Sequence, residues 1–177
     1  MRMFFLLMSL LTVSVSCGKR DSGSSPSTEI VNPLRNVELE TPSGEMIHAS
    51  LAYTSADQMQ GLQYVKDSEF SYDQGKLFFY LKDSARTFWM PNTFFNLDIF
   101  YLDQNMVISD VVWNLPAYAG TVSSEIPRAP RITSRHVLEM KAGSEISSKL
   151  KVGDKLQWKS SLTLDQTETA IQNELNP

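Results

Sequence analysis

The 177-residue chain has one cysteine, two histidines and no surplus of positive charge. A single cysteine excludes a disulfide framework and any cysteine-rich zinc site. The two histidines, His48 and His136, stand far apart with no carboxylate at a metal-motif spacing, so neither a metal nor a cofactor is expected. Lysine and arginine number 16 against 20 aspartates and glutamates, a net charge of −4, and without a basic stripe no nucleic-acid partner is expected. No apolar run reaches the roughly 20 residues of a membrane-spanning helix. Also missing are a Gly-x-Ser-x-Gly elbow, a phosphate loop, a Gly-x-Gly-x-x-Gly turn and a His-Glu-x-x-His pair, which removes the common enzyme classes built on them.

What is present begins with a segment that reads as an export signal. Met1-Arg2 opens the chain with a positive charge, and residues 3–13 are apolar apart from Ser9 and Thr12, the length of a signal-peptide core. The run ends in Ser14-Val15-Ser16-Cys17, which resembles a bacterial lipobox, with Ser14 where leucine is usual. Residues 1–16 are therefore expected to be a signal peptide and Cys17 the lipidated first residue of the mature chain. Residues 17–35 include Gly18-Lys19-Arg20-Asp21-Ser22-Gly23 and read as a flexible tether with almost no apolar surface to bury. The resemblance implies the periplasmic side of the envelope, and Gly18 after the cysteine tilts the expected anchor towards the outer membrane.

Residues 36–164 alternate apolar and polar with turn residues every 8–12 positions, the pattern of one mainly β domain of sandwich, jelly-roll or barrel type. A hairpin is expected at 37–53 around Pro42-Ser43-Gly44, a short helix at 56–60 opened by Ser55 and Gln58 and stopped by Gly61, and a central buried strand at 76–82. Further strands are expected at 87–90, 97–102, 106–113, 134–140 and 155–160, with a helix-like stretch at 144–150. The polar tail, 165–177, is expected to fray or to form a short solvated helix.

Gly61-Leu62, Gly75-Lys76-Leu77-Phe78-Phe79, Phe88-Trp89-Met90-Pro91-Asn92-Thr93 with Leu97-Asp98-Ile99, Val137-Leu138-Glu139 and Val152-Gly153-Asp154 occur in this order. Together they resemble the serial motifs of the domain of unknown function 192 family. The resemblance implies a compact, mostly β domain, often exported in bacteria, with no established activity. Departures are Gln63, Pro91 and Asn96, where members usually have methionine, lysine and proline, and a 115–132 loop that lacks the cysteine pair many members carry.

Asp98 sits among apolar neighbours on a strand, so its carboxylate needs partners: backbone N–H groups of the 91–96 loop or the Thr93 hydroxyl in a structural reading. If Asp103-Gln104-Asn105 is a three-residue turn with Asn105 left-handed, Leu102 pairs with Met106 and Asp98 faces Asp110. Such paired carboxylates suit a retaining glycosidase. Trp89 alternates with Phe88 and Met90, and an exposed indole beside Asn92 and Thr93 suits a sugar or peptide. Arg128, Arg131 and Arg135 form the one basic cluster, a candidate rim for an anionic group. Glu139 is expected to meet a cross-strand arginine such as Arg86. The leading expectation is a non-catalytic binding domain for an envelope glycan, peptide or small polar ligand, with Trp89, Asn92, Thr93 and Asp98 as its site. The alternatives are a hydrolase of envelope carbohydrate using Asp98 and Asp110, and a structural or partner-binding envelope protein.

Overall fold

The computed structural model describes residues 34–176. The expected signal segment, Cys17 and all but the end of the expected tether lie outside the described residues. Among the described residues the elements are β1 (Asn36–Glu40), β2 (Met46–Ala52), α1 (Ser55–Gln60), β3 (Gln74–Phe78), β4 (Ser84–Arg86), β5 (Leu97–Leu102), β6 (Ile108–Leu115), β7 (Ile132–Ser134), β8 (His136–Lys141), α2 (Glu145–Lys149), β9 (Gln157–Trp158) and α3 (Leu164–Leu175).

Seven strands form one sheet in the order β6-β5-β8-β3-β2-β1-β9, and β4 pairs with β7 in a second, small sheet. Every pairing in the large sheet is antiparallel except β2 with β3. A parallel pair cannot be joined by a tight turn, so residues 53–73, with α1 and a 3-10 turn at Asp67–Glu69, cross over the sheet before β3 begins. The sheet curls until its edges nearly meet. Residues 153–156 bond to the start of β6 (Ile108 N–H to Asp154 O at 2.8 Å, Leu156 N–H to Met106 O at 3.0 Å), and the next two residues form β9 beside β1. The mainly β, barrel-like expectation is the architecture found.

Strand alternation divides the core in two. Towards the inside of the curl point Leu39, Ile47, Leu51, Leu77, Phe100 and Leu138, joined by Leu150 next to α2 and Ile171 of α3. Towards the outside point Ala52, Phe78, Ile99, Tyr101 and Val137, covered by Leu62, Phe70, Phe88, Met90 and Phe95 from the connections. Both faces therefore carry an apolar core.

Several expected elements shift. The expected 76–82 strand ends at Phe78, where its pairing with β2 stops at Ala52 and with β8 at Val137. Residues 87–90 are not a strand but a loop edge joined to residues 127–129. The expected 134–140 strand breaks at Arg135, whose N–H donates to Leu102 O. Thr54, not Ser55, caps α1, accepting from Asp57 N–H at 3.1 Å, which frees Gln58 to donate to Phe79 O. The tail is more than a solvated helix: α3 buries Ile171 and Thr167, and Tyr53 donates to Glu174 at 2.9 Å.

The β5–β6 turn also differs. Met106, not Asn105, takes the left-handed conformation (φ 64°), and Asp103 Oδ1 accepts from both Asn105 and Val107 N–H. Leu102 consequently pairs with Ile108, and a further irregularity near Leu97 displaces the register again.

Candidate functional site

The register change separates the two expected catalytic carboxylates. Asp110 lies opposite Tyr101, exposed, and its Oδ1 accepts from Val111 N–H. Asp98 pairs in the sheet with Met140 and faces the inner core. Its Oδ1 accepts from Asn114 N–H at 2.9 Å and its Oδ2 from the Ser147 hydroxyl at 2.8 Å, so it ties β6 and α2 to β5. The structural reading of Asp98 holds with different partners from those expected; Thr93 donates instead to Pro91 O at 3.3 Å. A carboxylate pair for glycoside cleavage is not assembled.

The outer face carries a different carboxyl group. In cross-strand register lie Asn36 of β1, Ser50 of β2, Lys76 of β3, Glu139 of β8 and Ile99 of β5. None of the four polar side chains in this row makes a hydrogen bond or ion pair among the described residues. Glu139 is the most telling, being only 4% exposed. Arg86, its expected partner, instead lies 3.3 Å above the Tyr80 ring and donates to Lys82 O. Burial penalises the ionised carboxylate and pushes the Glu139 pKa up to about 8, with the Lys76 ammonium on the neighbouring strand pulling the other way. At neutral pH Glu139 is then chiefly a neutral acid, with one O–H to donate and a carbonyl oxygen to accept. The Tyr101 hydroxyl, on the same sheet face, is buried without a partner.

Glu139 forms the floor of a narrow cleft of about 30 Å³, room for about one or two waters or the tip of a ligand. One wall is α1 and the turn after it, with Gln58, Met59 and Leu62; the other is Phe88, Trp89 and Thr93. Gly61 allows the roof to sit low, since it adopts φ 50° and a Cβ there would stand 3.3 Å from the Phe78 ring. Trp89 is 46% exposed between buried Phe88 and Met90, as alternation predicts. The proline-rich loop holds it: Met90 N–H donates to Pro127 O, Ala129 N–H to Phe88 O, and the Arg128 guanidinium lies 5.0 Å from the indole centroid.

The remaining expected site residues have other attachments. Asn92, left-handed at φ 48°, donates its side-chain N–H to the Tyr64 hydroxyl at 2.7 Å and accepts Tyr64 N–H on its carbonyl, locking the crossover to the 91–96 loop. The three arginines are not one cluster. Arg135 is ion-paired to Asp83 at 2.6 Å and Glu168 at 3.1 Å, Arg131 is exposed without an ion pair, and Arg128 attends Trp89. Of the four residues proposed from sequence, Trp89 and Thr93 line the cleft; Asn92 braces its wall and Asp98 serves the opposite face. Sequence reasoning missed Glu139 as the centre, although a lone carboxylate inside Val137-Leu138-Glu139-Met140 was a signal.

Every motif segment quoted above except the last reaches this cleft, through Gly61, Leu62, Phe78, Phe88, Leu97 and Glu139 among others. The fold and the cleft define a curled, mostly β domain with one buried acid under an aromatic rim. The chain belongs to the DUF192 family, described as "Uncharacterized ACR", whose sequence profile matches residues 38–158. Two crystal structures are similar to it. One, from Sinorhizobium meliloti 1021 and described as a candidate transcription regulator, is 26% identical, with a TM-score of 0.55 over 70% of this chain and 92% of that one. The other, a protein of unknown function from Novosphingobium aromaticivorans DSM 12444, is 29% identical, with a TM-score of 0.56 over 70% of this chain and 84% of that one. Among curated proteins nothing matches.

Proposed function

We propose that this protein is a non-catalytic binding domain of the bacterial cell envelope, tethered through lipid at Cys17, and that it takes an amide-bearing ligand over Glu139. One observation carries the reading: a carboxyl group buried at the floor of a cleft with no partner in the protein. Its oxygens open on the cleft and accept nothing from the protein, so their hydrogen-bonding capacity is available to a ligand that enters. A neutral carboxylic acid offers a donor and an acceptor side by side, which complements an amide, with its C=O and N–H. Envelope glycans with N-acetyl groups and peptides both present amides. Trp89 supplies an apolar plate for the sugar ring or side chain beside it.

The test is a titration of the full chain with chitobiose, a muramyl dipeptide and alanyl dipeptides, followed by thermal shift. Wild type is expected to be stabilised by one of these classes. Glu139→Gln, which keeps a donor and an acceptor, retains the shift; Glu139→Leu and Trp89→Ala lose it while remaining folded. Binding is also expected to weaken as pH rises past 8, where the acid loses its proton. A ligand that shifts all four proteins equally sinks the reading.

A further inference from the structure

Beside the cleft, across the Gly61-Leu62 strap, the same crossover covers a second and wider hollow of about 380 Å³. Its floor is the other part of the polar row, Asn36, Ser50 and Lys76 on three adjacent strands in register. Leu62, Val65 and Phe70 make an apolar wall. Lys76 is half-buried, and burial pulls its ammonium pKa below the usual lysine value. The nearby acids are already committed: Glu38 to His48 at 2.7 Å, Glu69 to Lys66 at 2.9 Å, and Asp57 to Arg35 at 2.9 Å. Glu139 faces the cleft and is chiefly protonated at neutral pH. Lys76 is thus a cation without an ionised partner in contact, set in an amphiphilic hollow.

We propose that this hollow is a second binding site, for the carboxylate of a small apolar monoanion, held by the Lys76 ammonium with the Ser50 hydroxyl and Asn36 amide as further donors. The apolar part of the ligand lies on Leu62, Val65 and Phe70. A monoanion is favoured over a phosphate dianion because the hollow offers one unpaired cation, while Glu38 and Glu69 line it as well and repel a second negative charge. No polar group of the cleft contacts the ligand here; Lys76 and Glu139 are neighbours in register, and the separate variants below tell this site from the reading above.

The test uses the full chain and four probes: 3-methylbutanoate, phenylacetate, the uncharged 3-methylbutan-1-ol and inorganic phosphate, followed by amide chemical shifts. Both carboxylates are expected to saturate and to move the Asn36, Ser50 and Lys76 amides, and the alcohol and phosphate to bind more weakly. Lys76→Gln is expected to weaken the carboxylates by about tenfold or more, as loss of a charge-assisted hydrogen bond does, and Lys76→Arg to keep most of the affinity. Glu139→Gln and Trp89→Ala leave it unchanged. Absence of saturation, phosphate binding tighter than the carboxylates, or equal affinity in Lys76→Gln overturns the site. If Lys76→Gln does not fold, wild-type affinity in Ser50→Ala does so.

Discussion

Strands β2, β3 and β8 present Leu51, Leu77 and Leu138 to the inside of the curl, and Ser50, Lys76 and Glu139, one residue away on each strand, to the outside. The inner face is closed by regular elements, with α3 and α2 supplying Ile171 and Ile146. The outer face is closed by irregular ones, the crossover and the 87–96 loop. Each buries a carboxylic side chain, yet on the inner face Asp98 has two hydrogen bonds, whereas on the outer face Glu139 has none. The difference separates what the fold needs from what it can lend to a ligand.

That comparison is tested first where the effect is largest. Leu138→Ala, on the inner face, is expected to lower stability by about 3 kcal/mol, the usual loss for a fully buried leucine, with cleft binding per folded molecule unchanged; chemical denaturation and ligand titration check the two halves. Asp98→Ala leaves Asn114 N–H without its acceptor and the Ser147 hydroxyl with Ser144 O alone, and a loss of about 2 kcal/mol is expected by the same measurement.

The two faces also titrate in opposite senses. Glu139 has a folded pKa of about 8, above its ordinary 4.5, so its contribution is full below pH 4.5 and is lost as pH rises through 8. His136, on the inner face, accepts Tyr80 N–H on Nδ1 and is held by burial at about 3, below its ordinary 6.5, so its contribution is present above pH 6.5 and is lost as pH falls through 3. Between pH 4.5 and 6.5 the two slopes oppose one another. Stability measured across pH is expected to show a plateau there with a decline on either side. Glu139→Gln is expected to remove the alkaline decline, gaining about 2 kcal/mol over wild type at pH 8.5 and little at pH 4.5, a figure discounted for relaxation around a buried charge. A decline that survives in Glu139→Gln assigns it to another group.

The smallest expected stability change is in Trp89→Ala, under about 1 kcal/mol for a half-exposed side chain, though it abolishes cleft binding. A melting temperature far below wild type would make Trp89 architecture.

Much of the inner face was legible in the sequence because its period of two runs unbroken through Ile47, Ala49, Leu51 and Tyr53. Alternation sets Trp89 on one side of an expected strand; residues 87–90 are instead a loop edge, and the loop leaves the indole half-exposed. The expected Asp98–Asp110 pair was not formed because the turn sets Ile108, not Met106, opposite Leu102, and an irregularity between Leu102 and Tyr101 then puts Asp110 on the face of Tyr101 instead of that of Asp98. The outer row escaped notice because it is made across strands, not along them. Asn36, Ser50, Lys76 and Glu139 are separated by 14, 26 and 63 positions in the chain, and only the parallel β2–β3 pairing and the late arrival of β8 bring them level.

The position of β8 also bears on how the molecule is made. β1, β2 and β3 precede it on one side, β5 and β6 on the other, and β8 fits between β3 and β5. Until it does, the chain exposes two unpaired strand edges, the template on which other chains add. Glu139 rides on this last central strand, so the cleft above it takes shape only when the sheet is completed. A chain halted one strand short therefore lacks the cleft over Glu139 and presents two open strand edges on which other chains can add.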